Sequence, residues 1–432
     1  MERTLIKDLS EAVGKTVTIQ GWITVVRNQG KLIFFDVRDR TGSVQSVVLP
    51  KSVAFPTAGE VRPEWVASIS GVVNKRPEKN INPNVQNGDI ELGIEELNIL
   101  SKARELPFEL GTETNLDTYF DYMPYTLRSE KAKRIFKVQE TIIESFRDAL
   151  KKEDFSEFQA PVLVGADAEG GAAAFLVEYY YDQKAYLATS PQLYKQVMVG
   201  VYERAFSTPK VFRAEKHSTS RHLPEYTSLD FEMGFVNDHT DVMRTLEKVI
   251  RHIVMNVVEK HGVEKPLLPE NIPVLKLREV QKILKVSEEP DLEPEQERQI
   301  CDWAKQEHGS EFVFITHYPV SKRPFYTYED ENDPGYTKSF DLLFRGLEIT
   351  TGGQRIHDHD TLVERIKGRG LEPEKFAFYL QTFKYGMPPH GGSATGLERI
   401  TARLLNLANV KEAALFPRDL NRIDTLLSTD EA

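Results

Sequence analysis

The chain has 432 residues, of which 40% are hydrophobic and 28% charged. This suits two or three folded domains and excludes a disordered polymer. Its 55 Lys+Arg against 66 Asp+Glu give a net charge of −11, which excludes a bulk polyanion-coating protein but not a nucleic acid gripped by a local basic surface.

The first hundred residues are balanced in charge, and the remainder carries the whole acidic excess. No run of about 18 apolar residues is present, so no transmembrane helix is expected. The stretch Met1–Asp8 lacks the apolar core of a signal peptide. Cys301 is the single cysteine. It excludes intrachain disulfides and cysteine-based zinc clusters, and it suits a reducing cytoplasm.

Residues 15–100 read as β, within a first domain of 1–104. Five alternating or β-rich runs cover Lys15–Val26, Lys31–Arg38, Ser43–Leu49, Trp65–Val73 and Ile90–Leu100. Turn residues separate them, among them Asn28-Gln29-Gly30 and Arg40-Thr41-Gly42. Five short strands with a long fourth loop predict a small closed barrel of the OB type, with a sandwich fragment as the alternative. Residues 105–127, with Pro107, Gly111 and Pro124, read as a hinge. Ile135, Val138, Ile142, Phe146 and Leu150 then share one helical face, and Val242, Leu246, Val249, Ile253 and Val257 another, on a helix near 239–261. The acidic, proline-punctuated stretch near 262–320 reads as a small peripheral insertion. Glu372-Pro373-Glu374 opens a further helix.

Five clusters carry chemistry. Val211–Glu215 reads as a strand that projects Arg213 and Glu215 to one face. An arginine there can clamp a phosphate or carboxylate in a bidentate way. The following loop supplies Lys216, His217, Arg221 and His222 as donors for a polyphosphate, and Tyr226 can stack on a base. The alternative is a salt-bridged strand pair on a solvated sheet. Asp341 and Glu348 are natural Mg²⁺ ligands, because hard cations take oxygen; they can equally neutralise Arg345 and Arg355. His390–Arg399 is a glycine-rich entry to a helix, a weak anion-site signal by itself. Gln192 and Lys195 sit one helical turn apart and can face one pocket. Glu169–Ala174 is small and flexible, as a lid loop would be.

Together these residues resemble a class II aminoacyl-tRNA synthetase of the compact archaeal/eukaryotic-like aspartyl type. Pro161 is similar to the motif 1 proline, Phe212–Glu215 with its loop to motif 2, and Gly396–Arg399 to motif 3. The resemblance covers nearly the whole chain. It implies an N-terminal OB-fold anticodon-binding domain, then a class II catalytic domain over 128–432, an antiparallel sheet flanked by helices. It implies ATP and Mg²⁺, L-aspartate and tRNA-Asp as ligands, a homodimer, and no membrane or DNA partner.

The resemblance also assigns roles at matching positions. Arg213 and Arg399 would be catalytic. Arg213, Glu215, Arg221, His222, Tyr226, Glu348 and Arg399 would bind ATP, with Asp341 and Glu348 holding the metal. Glu169, Gln192, Lys195, Asp230, Thr351 and Arg355 would contact aspartate. Gln192 and Asp230 would take the α-ammonium, and Lys195 and Arg355 the side-chain carboxylate. Phe34, Gln45 and Glu91 would read the central anticodon base by stacking and hydrogen bonding, although a strand aromatic such as Phe34 is commonly core.

The lysine at 195, generally missing from asparaginyl relatives, favours aspartate. A non-discriminating enzyme that also charges tRNA-Asn remains open, as do an asparaginyl enzyme and a non-catalytic RNA-binding paralogue. Ala394 replaces a glycine common in motif 3. Ala168 and Thr351 stand where some relatives have serine, and Thr24 matches neither residue associated with strict or relaxed tRNA choice.

Overall fold

A computed structural model describes residues 2–165, 173–216, 219–424 and 426–427. Two units divide the chain, Met1–Glu109 and Leu110–Ala432. Five strands build the first: β1 (Thr16–Asn28), β2 (Ile33–Arg38), β3 (Ser43–Val48), β4 (Val66–Lys75) and β5 (Ile90–Ser101). They close into a barrel in the order β1-β2-β3-β5-β4. Period-2 alternation decides which side chains fill it. On β2, Ile33, Phe35 and Val37 are buried, while Phe34, Asp36 and Arg38 face outward. Gly30, at φ +76°, turns the β1–β2 hairpin, and its N–H donates to Asn28 Oδ1 at 2.9 Å.

In the second unit, the residues read as a hinge include two short helices, Leu116–Asp121 and Met123–Thr126. Asn115 caps the first by accepting from the Thr118 N–H at 2.8 Å. Helices of six and four residues are too short to display a 3.6-residue period, so pattern reading passes over them.

The elements that carry the site and its core follow in chain order. They are α1 (Glu130–Lys152), α2 (Gln192–Tyr202), β6 (Arg204–Ser207), β7 (Lys210–Phe212), β8 (Glu225–Gly234), α3 (His239–His261), β9 (Val274–Lys276), α4 (Pro294–His308), β10 (Phe312–Thr316), β11 (Ser339–Phe344), β12 (Leu347–Arg355), β13 (His390–Gly396) and α5 (Leu397–Leu404). One nine-stranded sheet runs β9-β10-β11-β12-β13-β8-β6 to Ser156–Glu157, with β7 also paired to β8. The β9–β10 pair and the β6 pair with Ser156–Glu157 are parallel, and the remaining pairs antiparallel.

The expected apolar faces of α1 and α3 form one core with the sheet. Val138, Ile142, Phe146 and Leu150 meet Val242, Leu246, Val249, Ile253 and Val257 over Phe231, Phe340 and Leu342. Truncating Phe146 to alanine there would cost about 3–5 kcal/mol. Ser129 and Asp238 cap the two helices at their N-termini, and Gly262 closes α3 in the left-handed conformation.

The proline-punctuated stretch is not peripheral. Its strand β9 joins the central sheet beside β10, and α4 buries Ile300, Cys301 and Ala304 with Val313 and Ile315 of β10. The apolar residues that make this contact are spread thinly among charged ones, which hides them in composition. After Glu372, a 3-10 turn (Pro373–Phe376) precedes a helix over Ala377–Lys384.

Candidate active site

Four charges are buried together on the floor made by β8, β12 and β13. Lys195, on the first turn of α2, is 1% exposed. Its Nζ lies 2.9 Å from Asp230 Oδ1, 3.3 Å from Glu232 Oε2 and 3.2 Å from the Ser393 carbonyl oxygen. Arg355, at the end of β12, donates from Nε to Glu232 Oε1 at 2.9 Å and from Nη2 to the Gly392 carbonyl at 3.0 Å. Asp230 and Glu232 alternate along β8, so both point to this face.

Burial alone would raise the Glu232 carboxyl, but Arg355 and then Lys195 reverse it, and the group is held below the ordinary carboxylate range. Gly392 must be glycine. A Cβ there would stand 2.2 Å from Glu232 Oε2 and from the Phe231 carbonyl oxygen. Several buried atoms around this tetrad have no hydrogen-bond partner: Asp230 Oδ2, Glu232 Oε2, Gln192 Nε2 and Ser393 Oγ. Such atoms are costly unless a ligand meets them.

A second group lies along the same sheet. Asp341, opposite Thr351 across β11–β12, accepts from the Thr351 hydroxyl and from Arg323 Nη2 at 2.8 Å. Arg323 stacks on Tyr318, its guanidinium carbon 3.8 Å from the ring centre. Glu348 sits where the β11–β12 register shifts, its side chain about 37% exposed. Arg399, on α5, donates from Nη1 to the Glu348 carbonyl at 2.9 Å and lies 3.6 Å from its carboxylate. Loss of hydration and then the charge of Asp341 hold the Glu348 carboxyl above its ordinary value, against Arg399, Arg323 and Arg213. Two carboxylates in mutual repulsion among phosphate-sized donors fit a hard divalent cation with few protein ligands.

The strand read over Val211–Glu215 ends at Phe212, so Arg213 and Glu215 lie in the segment beyond it. Arg213 packs over the Tyr226 ring at 5.8 Å. His222 Nδ1 is 2.7 Å from Thr219 Oγ1, and Arg221 is paired with Glu297.

On the barrel, Phe34 is half-buried on the outer face and outside the core, unlike its neighbour Phe35. Gln45 Nε2 donates to Glu91 Oε2 at 3.2 Å. Arg27 and Arg76 each donate to Gln45 Oε1 at 3.3 Å, and Arg27 also pairs with Asp36 at 2.8 Å. An outward aromatic beside a polar network that can exchange partners suits an unstacked base.

Residues 115–420 match the family model for class II tRNA synthetases (D, K and N), and residues 17–100 match that for the OB-fold nucleic acid binding domain. The chain belongs to the class II aminoacyl-tRNA synthetases. It is 44% identical to the aspartate–tRNA(Asp/Asn) ligase of Thermus thermophilus, over 98% of this chain and 99% of that one. It is 36% identical to the aspartate–tRNA(Asp) ligase of Pyrococcus abyssi, over 96% and 97%. Among solved structures, the asparaginyl-tRNA synthetase of Pyrococcus horikoshii with asparaginyl-adenylate is similar at a TM-score of 0.90 and 32% identity, over 98% of this chain and 99% of that one. The same backbone thus carries aspartyl and asparaginyl relatives, and the choice between them lies in side chains.

Within this synthetase core, the residues expected at the amino-acid pocket are partly gathered. Lys195, Asp230 and Arg355 converge through Glu232. Gln192, on the first turn of α2, is buried, and its unpartnered atom is the amide nitrogen, a donor. Thr351 spends its hydroxyl on Asp341. Glu169 and Ala168 lie outside the described residues, as does His217. Arg345, offered as a partner for the metal carboxylates, pairs instead with Glu311 at 2.8 Å.

Sequence reasoning missed Glu232, Arg323, Glu297, Arg27 and Arg76. For Glu232 the signal was present, as an acidic residue two positions from Asp230 on one strand. The others are charges whose partners are distant in sequence. No helix among the described residues is long and apolar enough to cross a membrane.

Proposed function

We propose that the protein activates L-aspartate with ATP and transfers it to the 3′ end of tRNA-Asp. The observation that carries this reading is the buried Lys195–Glu232–Arg355 bridge beside the open Asp230 oxygen. Asp230 Oδ2 takes the substrate α-ammonium. Lys195 and Arg355 take the side-chain carboxylate, and a neutral asparagine amide would leave their charge unmatched. Arg213 holds the α-phosphate and the carboxylate that attacks it. Tyr226 and Glu215 take the adenine, and His222, Arg221 and Arg399 the outer phosphates.

Asp341 and Glu348 would hold Mg²⁺, which when bound neutralises phosphate charge. Catalysis then comes from positioning and charge, with no covalent enzyme nucleophile. The first step joins the aspartate carboxylate to the α-phosphorus and releases pyrophosphate. In the second, the terminal ribose hydroxyl attacks the acyl carbon and AMP leaves. Phe34, Gln45 and Glu91 bind the anticodon. The chain works as a cytoplasmic homodimer formed through the segment around Pro161.

A second reading, charging of tRNA-Asn as well, is favoured by one observation: the Thermus relative, named for both tRNAs, is the more similar of the two ligases compared. The test is aminoacylation with labelled aspartate and labelled asparagine on purified tRNA-Asp and tRNA-Asn. Aspartate on tRNA-Asp is required. Aspartate on both tRNAs establishes the relaxed enzyme. Asparagine charging, or no charging of active tRNA, would overturn the proposal.

A further inference from the structure

Arg221 stands apart from the other phosphate candidates because a residue outside the reaction holds it. Glu297, in the first turn of α4, has a side chain only 12% exposed. Its Oε2 accepts from Arg221 Nη2 and from the Glu348 backbone N–H at 3.0 Å. One carboxylate therefore ties the loop between β7 and β8 to the start of β12. The other terminal nitrogen of Arg221, Nη1, is shielded from solvent and has no hydrogen-bond partner.

The surroundings are crowded with like charge. Burial and then Arg221, Arg298 and Arg345 push the Arg403 guanidinium below its ordinary pKa. Arg345 and Arg298 have their own carboxylates, Glu311 and Glu295. Among the described residues, Glu297 is the carboxylate paired with the Arg221 guanidinium, so its loss would leave Arg221 uncompensated against Arg403. A guanidinium anchored on one side is pre-organised for an anion on the other, because its donors form a rigid planar fork.

We propose that Glu297 is a positioning residue for ATP: it fixes Arg221 through Nη2 so that Nη1 is presented to the outer phosphates, and it sets the Glu348 backbone at the same time. This inference rests on the ligase reading above. It assigns a reaction role to α4, which the sequence alone places in an insertion.

The test is aspartate-dependent ATP–pyrophosphate exchange by the full chain, comparing Glu297→Ala, Glu297→Gln, Arg221→Ala and the double variant Arg221→Ala/Glu297→Ala. Glu297→Ala is expected to raise the KM for ATP about tenfold, the size of a lost charge-assisted hydrogen bond. The Tm should fall, because breaking a largely buried pair from one side is costly, but the KM for aspartate should stay near the unaltered protein's. Glu297→Gln, which keeps an acceptor for the Glu348 N–H, should fall between, and it carries the test if the alanine variant does not fold. The double variant should fall well short of the sum of the two single losses, exceeding Arg221→Ala only by the part that the Glu348 N–H contact carries.

An unchanged KM for ATP, or additive effects in the double variant, would overturn the inference. So would ATP and aspartate KM values rising by similar factors, the mark of a merely structural role. An unaltered protein without aspartate-dependent exchange would overturn the ligase reading itself, and this inference with it.

Discussion

Replacing Lys195 with methionine removes one buried charge while nearly conserving volume. The loss can be worked from its contacts. Nζ lies 2.9 Å from Asp230 Oδ1, 3.3 Å from Glu232 Oε2 and 3.2 Å from the Ser393 carbonyl. Glu232 keeps Arg355, but Asp230 is left buried without the cation it was paired with. Breaking a buried pair from one side costs about 3–5 kcal/mol, and the retained Arg355 places this case near the lower end. Function should fall separately. The substrate carboxylate loses one charge-assisted hydrogen bond, about 1.5–3 kcal/mol, which is roughly 10- to 150-fold in kcat/KM for aspartate. ATP contacts none of these groups in the proposed pose, so its KM should hold. The assay is pyrophosphate exchange at varied aspartate and varied ATP, with circular dichroism to confirm folding. A folded Lys195→Met protein that keeps kcat/KM for aspartate within about twofold would refute the assignment, whatever its stability.

Three further outcomes are expected. Phe34→Ala should change barrel stability by less than about 1 kcal/mol, since the ring is outside the core, yet raise the KM for tRNA by the roughly 5- to 100-fold of a lost base stack; a large fall in Tm with unchanged charging would reverse that. Cys301→Ser should leave catalysis intact, and the native thiol should resist iodoacetamide at pH 8, because burial above all pushes it up to about 12; rapid labelling of the folded protein would contradict the packing. Glu398, with its carboxylate accepting the Thr227 N–H at 3.0 Å, is pushed by burial up to about 7 from an ordinary 4.5, so the fold disfavours its ionised form. The penalty is absent below about pH 4.5, grows as the pH rises toward 7, and is complete above it; Glu398→Gln should therefore gain up to about 3 kcal/mol relative to the unaltered protein between pH 4 and pH 8. A stability difference independent of pH would contradict the shift.

The barrel and the two long helices were legible because their periods are long and regular. β2 shows this at single-residue scale: Phe34 and Phe35 look alike in the sequence, and only the strand phase, fixed by Ile33 and Val37, puts one outside and one inside. The motif residues were legible as chemistry, and Lys195, Asp230 and Arg355 do meet. Partner choice was not legible. Arg221 meets Glu297, Arg323 meets Asp341 and Arg345 meets Glu311, at sequence separations of 76, 18 and 34. No local pattern encodes such pairs, because they depend on which strands become neighbours. The insertion was misjudged for a related reason. β9 has three residues, and its membership of the sheet depends on pairing with β10, about forty positions later.

Glu232 explains how two cations can wait in a dry pocket. Bare, Lys195 and Arg355 would be costly to bury. Glu232 reaches both, Oε1 to Arg355 and Oε2 to Lys195, and with Asp230 it leaves the tetrad neutral before substrate arrives. Its neutralisation is incomplete in hydrogen-bond terms. Glu232 Oε2 accepts no aligned hydrogen bond from Lys195, so one N–H of the ammonium stays uncommitted beside the bonds to Asp230 and Ser393. Arg355 donates two of its five N–H groups within this site. The unused donors are what a substrate carboxylate can take. Glu232 is held in place by its pairs with Arg355 and Lys195, and Gly392 leaves it space that any larger residue would fill. In the proposed pose the substrate carboxylate would share the cations with Glu232 rather than replace it. Sharing favours a ligand that brings full negative charge and only acceptors. An amide brings one acceptor and a pair of donors toward groups that are themselves donors, so in this pose it would be disfavoured by that mismatch as much as by its missing charge.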